Sequence, residues 1–313
     1  MHLIVPFAYS PSEPCAAALG ESRLPVLQSL LTQLTPDAPD GGHAHTLSPP
    51  HERALARALN LPDSDGLIPW AALQARSKPA LHHLPDQWAF VSLCHWQINS
   101  HHIAMRQWPM DALTDAHSFA LLEAMQPYFQ EDGITLYPDQ CGRWLANGAA
   151  LNKLATASPE RVLGRDVKPW MPITTQATPL RRLQNEMQML LYTHAVNDER
   201  QSQALLSVNS FWLHGSGQLP QNEQAPKNPP EVYQDLSAAA LSEDWPRWAR
   251  AWQALDAGPL RTLQQAALAG QSVQLTLCGE QQSQTWRLQR QSAWQKLRRR
   301  LATPPVAQHL KIL

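Results

Sequence analysis

The stretch LRRLQNEMQMLLYTHAVNDERQSQALLSVNSFWLHGSG, Leu180 to Gly217, decides how the 313-residue chain is read. Leu180, Leu183, Met187, Leu190 and Leu191 recur at helical spacing and give one apolar face, with Arg181, Arg182, Asn185, Glu186 and Gln188 on or near the other. Thr178 and Pro179 suit the start of this helix, because a threonine hydroxyl can cap free N–H groups and proline has none to leave unpaired there. The Met/Leu stripe reads as core packing. From His194 to Arg200 the pattern is polar, as at a solvated helix end or loop. Val208–His214 then reads as a strand, and the consecutive Phe211, Trp212 and Leu213 suit one covered on both faces. Gly215 and Gly217 are expected to end it, where the chain turns sharply or comes close to another group. Alone, Gly-x-Gly is a weak sign of a phosphate loop.

Outward from this stretch, His2–Ala8 reads as a short buried strand and Leu24–Leu34 as a helix. Thr35–Thr46 reads as a loop and Ser48–Leu61 as a helix capped by Ser48; a further helix is expected over Ile68–Arg76. Gln87–Leu93 and Ile98–Met105 form a hairpin-like pair, followed by a helix over Thr114–Phe129 and short strands at Ile134–Tyr137 and Arg143–Leu145. This β-β-α-β-β block, residues 85–175, is expected to be an inserted subdomain with helices on one face of an antiparallel sheet. Gln218–Pro230 is a polar, proline-rich loop. Leu241–Leu255 and Leu260–Leu268 read as helices, with Trp245, Trp248 and Trp252 as a core stripe. Val273–Cys278 and Thr285–Leu288 read as strands, and Arg298–Arg300 as a solvated helix face.

Hydrophobic residues make up 43% of the chain and charged residues 16%, and the formal net charge is −1, so nothing points to nucleic acid or an anionic membrane surface. The four cysteines, Cys15, Cys94, Cys141 and Cys278, are far apart and form no C-x-x-C, which argues against a disulfide framework or structural zinc. A reducing, cytoplasmic setting is expected. No apolar run nears the ~20 residues of a membrane span. MHLIVPF lacks the basic start and long apolar stretch of a signal peptide.

His194, Val196, Asn197, Glu199 and Arg200 (H-x-V-N-x-E-R), followed by Asn209, Trp212, Leu213, Gly215 and Gly217 (N-x-x-W-L-x-G-x-G), form an ordered, spaced pattern. It resembles the archaeal-type cofactor-independent phosphoglycerate mutases of the alkaline phosphatase superfamily. The same block, with LSPPHERALA at Leu47–Ala56, is similar to a bacterial branch of phosphoglycerate mutase-like and RpfE-type regulatory proteins. The resemblance implies an α/β fold: a three-layer alkaline-phosphatase-like core with a central, mostly parallel sheet. Residues 1–84 and 176–313 would form that core around the α+β subdomain at 85–175.

The family's mutases use two divalent metals and a serine nucleophile, the cations offsetting charge on the transferring phosphoryl group. The resemblance therefore calls for ligands at set places. An acidic residue is due just after the first strand, where this chain has Pro6-Phe7-Ala8-Tyr9-Ser10. With His51 aligned, Leu47 falls where the serine belongs, and Ser48 could replace it by a one-residue shift. Gly66–Leu73 (GLIPWAAL) resembles a family block but lacks its arginine, and Trp88–Val91 resembles the strand entering the insertion. Trp252–Asp256 (WQALD) resembles the family's acidic helix. A strand that should end Thr-x-Asp-His reads Thr276-Leu277-Cys278-Gly279.

Two readings follow. In the first, the metal pair is lost, no cofactor is held, and the chain binds a phosphorylated small metabolite or a protein partner. Asn197, Arg200, Asn209, Trp212, Gly215 and Gly217 would then line a remnant pocket or maintain the fold. In the second, the chain is an active mutase or phosphatase with manganese or zinc on relocated ligands, drawn from Asp37, Asp40, His43, His45, Ser48, His51 and Asp235. Ser48 and His51 are the catalytic candidates.

Overall fold

A computed structural model describes residues 1–220, 226–289 and 304–313. In chain order the strands are β1 (His2–Val5), β2 (Thr35–Pro36), β3 (Asp40–Gly41), β4 (Trp88–Ile98), β5 (Ile103–Gln107), β6 (Thr135–Gln140), β7 (Arg143–Asn147), β8 (Ser210–Gly217), β9 (Glu231–Val232), β10 (Gln274–Cys278) and β11 (Gln282–Arg287). The helices are α1 (Glu13–Glu21), α2 (Pro25–Gln33), α3 (Pro50–Ala58), α4 (Trp70–Arg76), α5 (Asp115–Glu131), α6 (Pro159–Val162), α7 (Thr178–Tyr192), α8 (Ala195–Ser202), α9 (Asp235–Leu241), α10 (Trp245–Ala257), α11 (Pro259–Leu268) and α12 (Val306–Leu310). They form two compact units. The first is Met1–Ala44, Pro49–Asn60 and Gln224–Leu313; the second is His45–Ser48 and Leu61–Glu223.

The first unit is built on a mixed sheet. β1 lies between β9 and β10 and is parallel to both. β11 is antiparallel to β10, and β2 and β3 pair with β11. The parallel part is thus three strands, and the antiparallel edge includes two short strands inside the stretch expected as loop, Thr35–Thr46. Strand alternation sends Leu3, Val5, Leu275 and Leu277 to one face, where they meet Leu27 and Leu30 of α2 and Trp248 and Trp252 of α10. Ile4 and Cys278 face the other way, against Ala54 of α3. Helices therefore cover both faces of this sheet. Trp248 and Trp252 are fully buried, and successive rings of the Trp245–Trp248–Trp252 stripe meet edge to face at 6.0 and 6.1 Å, which makes the stripe core, as its spacing predicts.

The second unit is an antiparallel sheet, β8-β4-β7-β6, with β5 on the far half of β4. Ala89, Val91 and Leu93 of β4 share a face with Phe211 and Leu213 of β8, and pack on Leu121, Met125 and Phe129 of α5 and Leu183 and Met187 of α7. Trp88 and Phe90 point to the opposite face, onto Ala71, Ala72 and Ala75 of α4. β8 is covered on both sides, as its apolar run suggests, but it pairs antiparallel with β4 and does not join the parallel sheet. That pairing draws residues 61–84 and 176–223 into the same unit as 85–175. The expected insert is correspondingly wider, because α7 and β8 bury their apolar faces on α5 and β4. Helix α7 begins at Thr178 with proline in its first turn, but no side chain caps it; the Thr178 hydroxyl accepts from Arg181 instead. Arg298–Arg300 lie outside the described residues. Among the described residues no helix is long and apolar enough to cross a membrane.

Candidate functional site

The polar residues of the central block converge on its own backbone. Asn197, in the first turn of α8, donates through Nδ2 to the carbonyls of Leu191 and Val208, both at 2.7 Å, and accepts the Val208 N–H through Oδ1 at 2.8 Å. One amide thus joins the end of α7 to the entry of β8. Arg200 is 1% exposed and donates to the carbonyls of Leu206 (2.7 Å) and Asp111 (2.9 Å); burial pulls its guanidinium below its usual very high range, against the opposing charge of Asp111. Asn209 copies a strand pairing with its side chain, accepting the Trp96 N–H at 2.7 Å and donating to the Trp96 carbonyl at 2.8 Å. Trp212 donates its indole N–H to the Ala157 carbonyl at 2.8 Å. His194 caps α8, accepting the Val196 N–H at 3.2 Å, and Glu199 pairs with His117 at 2.9 Å. Buried backbone groups must find partners, and these side chains supply them.

Gly215 lies inside β8, while Gly217 is its last residue, as expected of a glycine at a close approach. Trp88 pairs with Gly217 and Phe90 with His214, so β8 carries one residue more than β4 over that step. The extra residue is a bulge, and Gly215 accommodates it at φ +66°, a conformation that favours glycine. A Cβ on Gly217 would lie 2.2 Å from the Leu67 carbonyl oxygen and 2.8 Å from Pro69 N. Gly217 is therefore bare because the turn into α4 crosses over it.

The carboxyl edge of the first unit's parallel strands is where open α/β sheets commonly hold ligands. After β1, Phe7 adopts φ +51°, unusual for a bulky residue. The turn is held by Ala8 N–H on the Cys278 carbonyl (2.7 Å) and by the Trp248 indole N–H on the Phe7 carbonyl (2.9 Å). After β10, Cys278 is fully buried, and burial pushes its thiol well above the ordinary range. A Cβ on Gly279 would meet the backbone C and O of Leu313 at 2.6 Å, and the Leu313 carbonyl accepts the Gln282 N–H at 2.9 Å. Leu313 is thus seated directly on Gly279. Ser10 donates to Glu280 at 2.8 Å beside this edge. Beyond β9, burial and then the neighbouring Asp235 push the Tyr233 hydroxyl up to about 12. Asp256, near the end of α10, accepts the N–H groups of Val26 (3.2 Å) and Leu27 (2.8 Å), capping α2, whose own cap position is Leu24.

Ser48 and His51 fall in different units. Ser48 is not the cap of α3: that position is Pro49, and no side chain fills the role. The Ser48 hydroxyl instead accepts the Gly66 N–H at 2.9 Å, while Asp65 accepts the N–H groups of Leu47 and Ser48 at 3.1 and 2.8 Å. The loop 47–48 is thereby tied to 65–66. His51 is buried in the first turn of α3, its ring 5.6 Å from that of Phe7. Asp37 is bound by Arg287 at 2.5 Å, and Asp40 by Arg57 at 2.7 Å and Arg53 at 3.1 Å. Burial opposes the charge of Asp40, but the two guanidiniums outweigh it and hold the carboxyl below its ordinary range. His43 belongs to the first unit, while His45 lies in the second with its ring 6.2 Å from Trp170. Among the described residues, no group of three or more His, Cys, Asp or Glu side chains is placed to hold a metal ion.

Two polar clusters in the second unit carry no spaced motif in the sequence. His214 is hydrogen-bonded to Ser92 at 2.8 Å, and burial, with Arg143 nearby, lowers its pKa to about 3. Asp139 receives Arg143 (2.8 Å), Lys78 (3.0 Å) and Gln74 (2.8 Å); burial opposes its charge, but these donors hold the carboxyl low. The one available signal for His214 is its position in the apolar run ahead of Gly215, where a polar residue on a covered strand needs a buried partner.

No protein-family model matches the sequence. No curated protein matches it either. Among solved structures, the chain is similar to the cofactor-independent phosphoglycerate mutase from Thermoplasma acidophilum, with 14% identity and a TM-score of 0.35 over 91% of this chain and 89% of that one. It is also similar to the PH0037 protein from Pyrococcus horikoshii, with 10% identity and a TM-score of 0.45 over 92% of this chain and 87% of that one.

Proposed function

We propose that this chain is a non-catalytic, cytoplasmic relative of the cofactor-independent phosphoglycerate mutases, without their paired-metal site, that acts by binding a phosphorylated small metabolite or a protein partner. The observation that carries this reading is the carboxyl edge of β1 and β10. Two hard cations need several carboxylate and imidazole ligands with open lone pairs. Here the corresponding positions are Phe7, a buried thiol at Cys278 and a glycine covered by Leu313. Asp256 is already engaged by two backbone N–H groups. This set does not fit a pair of divalent metals.

Elemental analysis of the purified full chain, dialysed against manganese or zinc, tests the reading. No stoichiometric metal is expected, and no interconversion of 2- and 3-phosphoglycerate in those buffers. Bound metal at one or two equivalents, with mutase or phosphatase turnover that Ser48→Ala abolishes, would overturn it in favour of an enzyme with relocated ligands.

A further inference from the structure

We draw no further inference here: the strongest candidate, the cleft in the second unit between α4, the start of β4 and the end of β8, carries nothing, because its charged side chains, Arg76 and Asp86, already have partners and nothing in the structure shows what would occupy it.

Discussion

The elbow of the second unit and the carboxyl edge of the first make an instructive pair. At the elbow, Asn197, Arg200 and Asn209 are the kind of residues that hold ligands, yet their bonds run to backbone groups of α7, of β4, of the stretch 206–208 leading into β8, and of Asp111. At the edge, the topology is the kind that holds ligands, yet Phe7, Cys278, Gly279 and Leu313 fill it. Residue type and location, which coincide in a working site, have come apart. A sequence pattern can thus be fixed by what braces the chain, whatever chemistry the same residue types perform elsewhere.

The sharpest way to break this contrast is Asn197→Ala. It strips partners from two carbonyls and one N–H, all buried, at about 1–3 kcal/mol each before relaxation. A loss of about 4 kcal/mol is expected in urea unfolding followed by tryptophan fluorescence. Asp235→Ala, exposed at the edge of the first unit, is expected to cost under about 0.5 kcal/mol. Equal losses from the two would mean that the elbow is no more structural than the edge.

The glycines sharpen the comparison next. Gly217→Ala forces a methyl to 2.2 Å from the Leu67 carbonyl, inside a paired strand, and about 3 kcal/mol is expected. Gly279→Ala meets Leu313 at 2.6 Å, behind the five-residue α12, where a local shift can relieve the overlap, and about 1 kcal/mol is expected. The ratio of the two losses, measured by thermal unfolding, is the quantity to compare.

Acid tests the same two regions. His214 in the second unit has its pKa lowered to about 3, and His2 in the first to about 4, each chiefly by burial. In both cases the unfolded chain takes up a proton that the folded chain refuses. Stability is therefore complete above about pH 7 and falls as pH drops through 6.5 toward the folded values. For His214 the slope reaches about 1.4 kcal/mol per pH unit, or about 2 kcal/mol by pH 5. His214→Gln and His2→Gln should each flatten the profile between about pH 7 and 5; a slope unchanged by either substitution would show that its imidazole titrates alike in the folded and unfolded chain.

Much of this was legible in the sequence. The period of Leu180–Leu191 marks α7, and the spacing of Trp245, Trp248 and Trp252 marks a buried stripe, because helical periodicity reports directly on which face is covered. What the sequence leaves open is partnership. An unbroken apolar run such as Phe211–Leu213 says that both faces are covered but not whether the neighbour runs parallel or antiparallel. Two-residue strands like β2 and β3 are too short to show a period. Asp256 caps a helix 230 residues away, and Ser48 meets an amide 18 residues on. No local rule connects such pairs. That Cys278 and Gly279 follow the apolar run of β10 is readable directly, but that Leu313 sits against Gly279 is not.

Ser48→Ala has a small expected effect and separates the two readings most cleanly. As a brace, the hydroxyl satisfies the Gly66 N–H within the buried join of 47–48 to 65–66. Removing it leaves that N–H without its acceptor, at about 1 kcal/mol. For a unit of this size that is a fall of about 2–4 °C in Tm. Binding of any ligand elsewhere would be untouched, and Ser48→Thr, which keeps the hydroxyl, would restore part of the loss. As a nucleophile, Ser48 would behave in the opposite way: a near-unchanged Tm with abolished phosphoryl transfer, unrescued by any change that repairs only the hydrogen bond to Gly66. The two signatures differ in which quantity moves, so a one-residue substitution can tell a strut from a catalytic group.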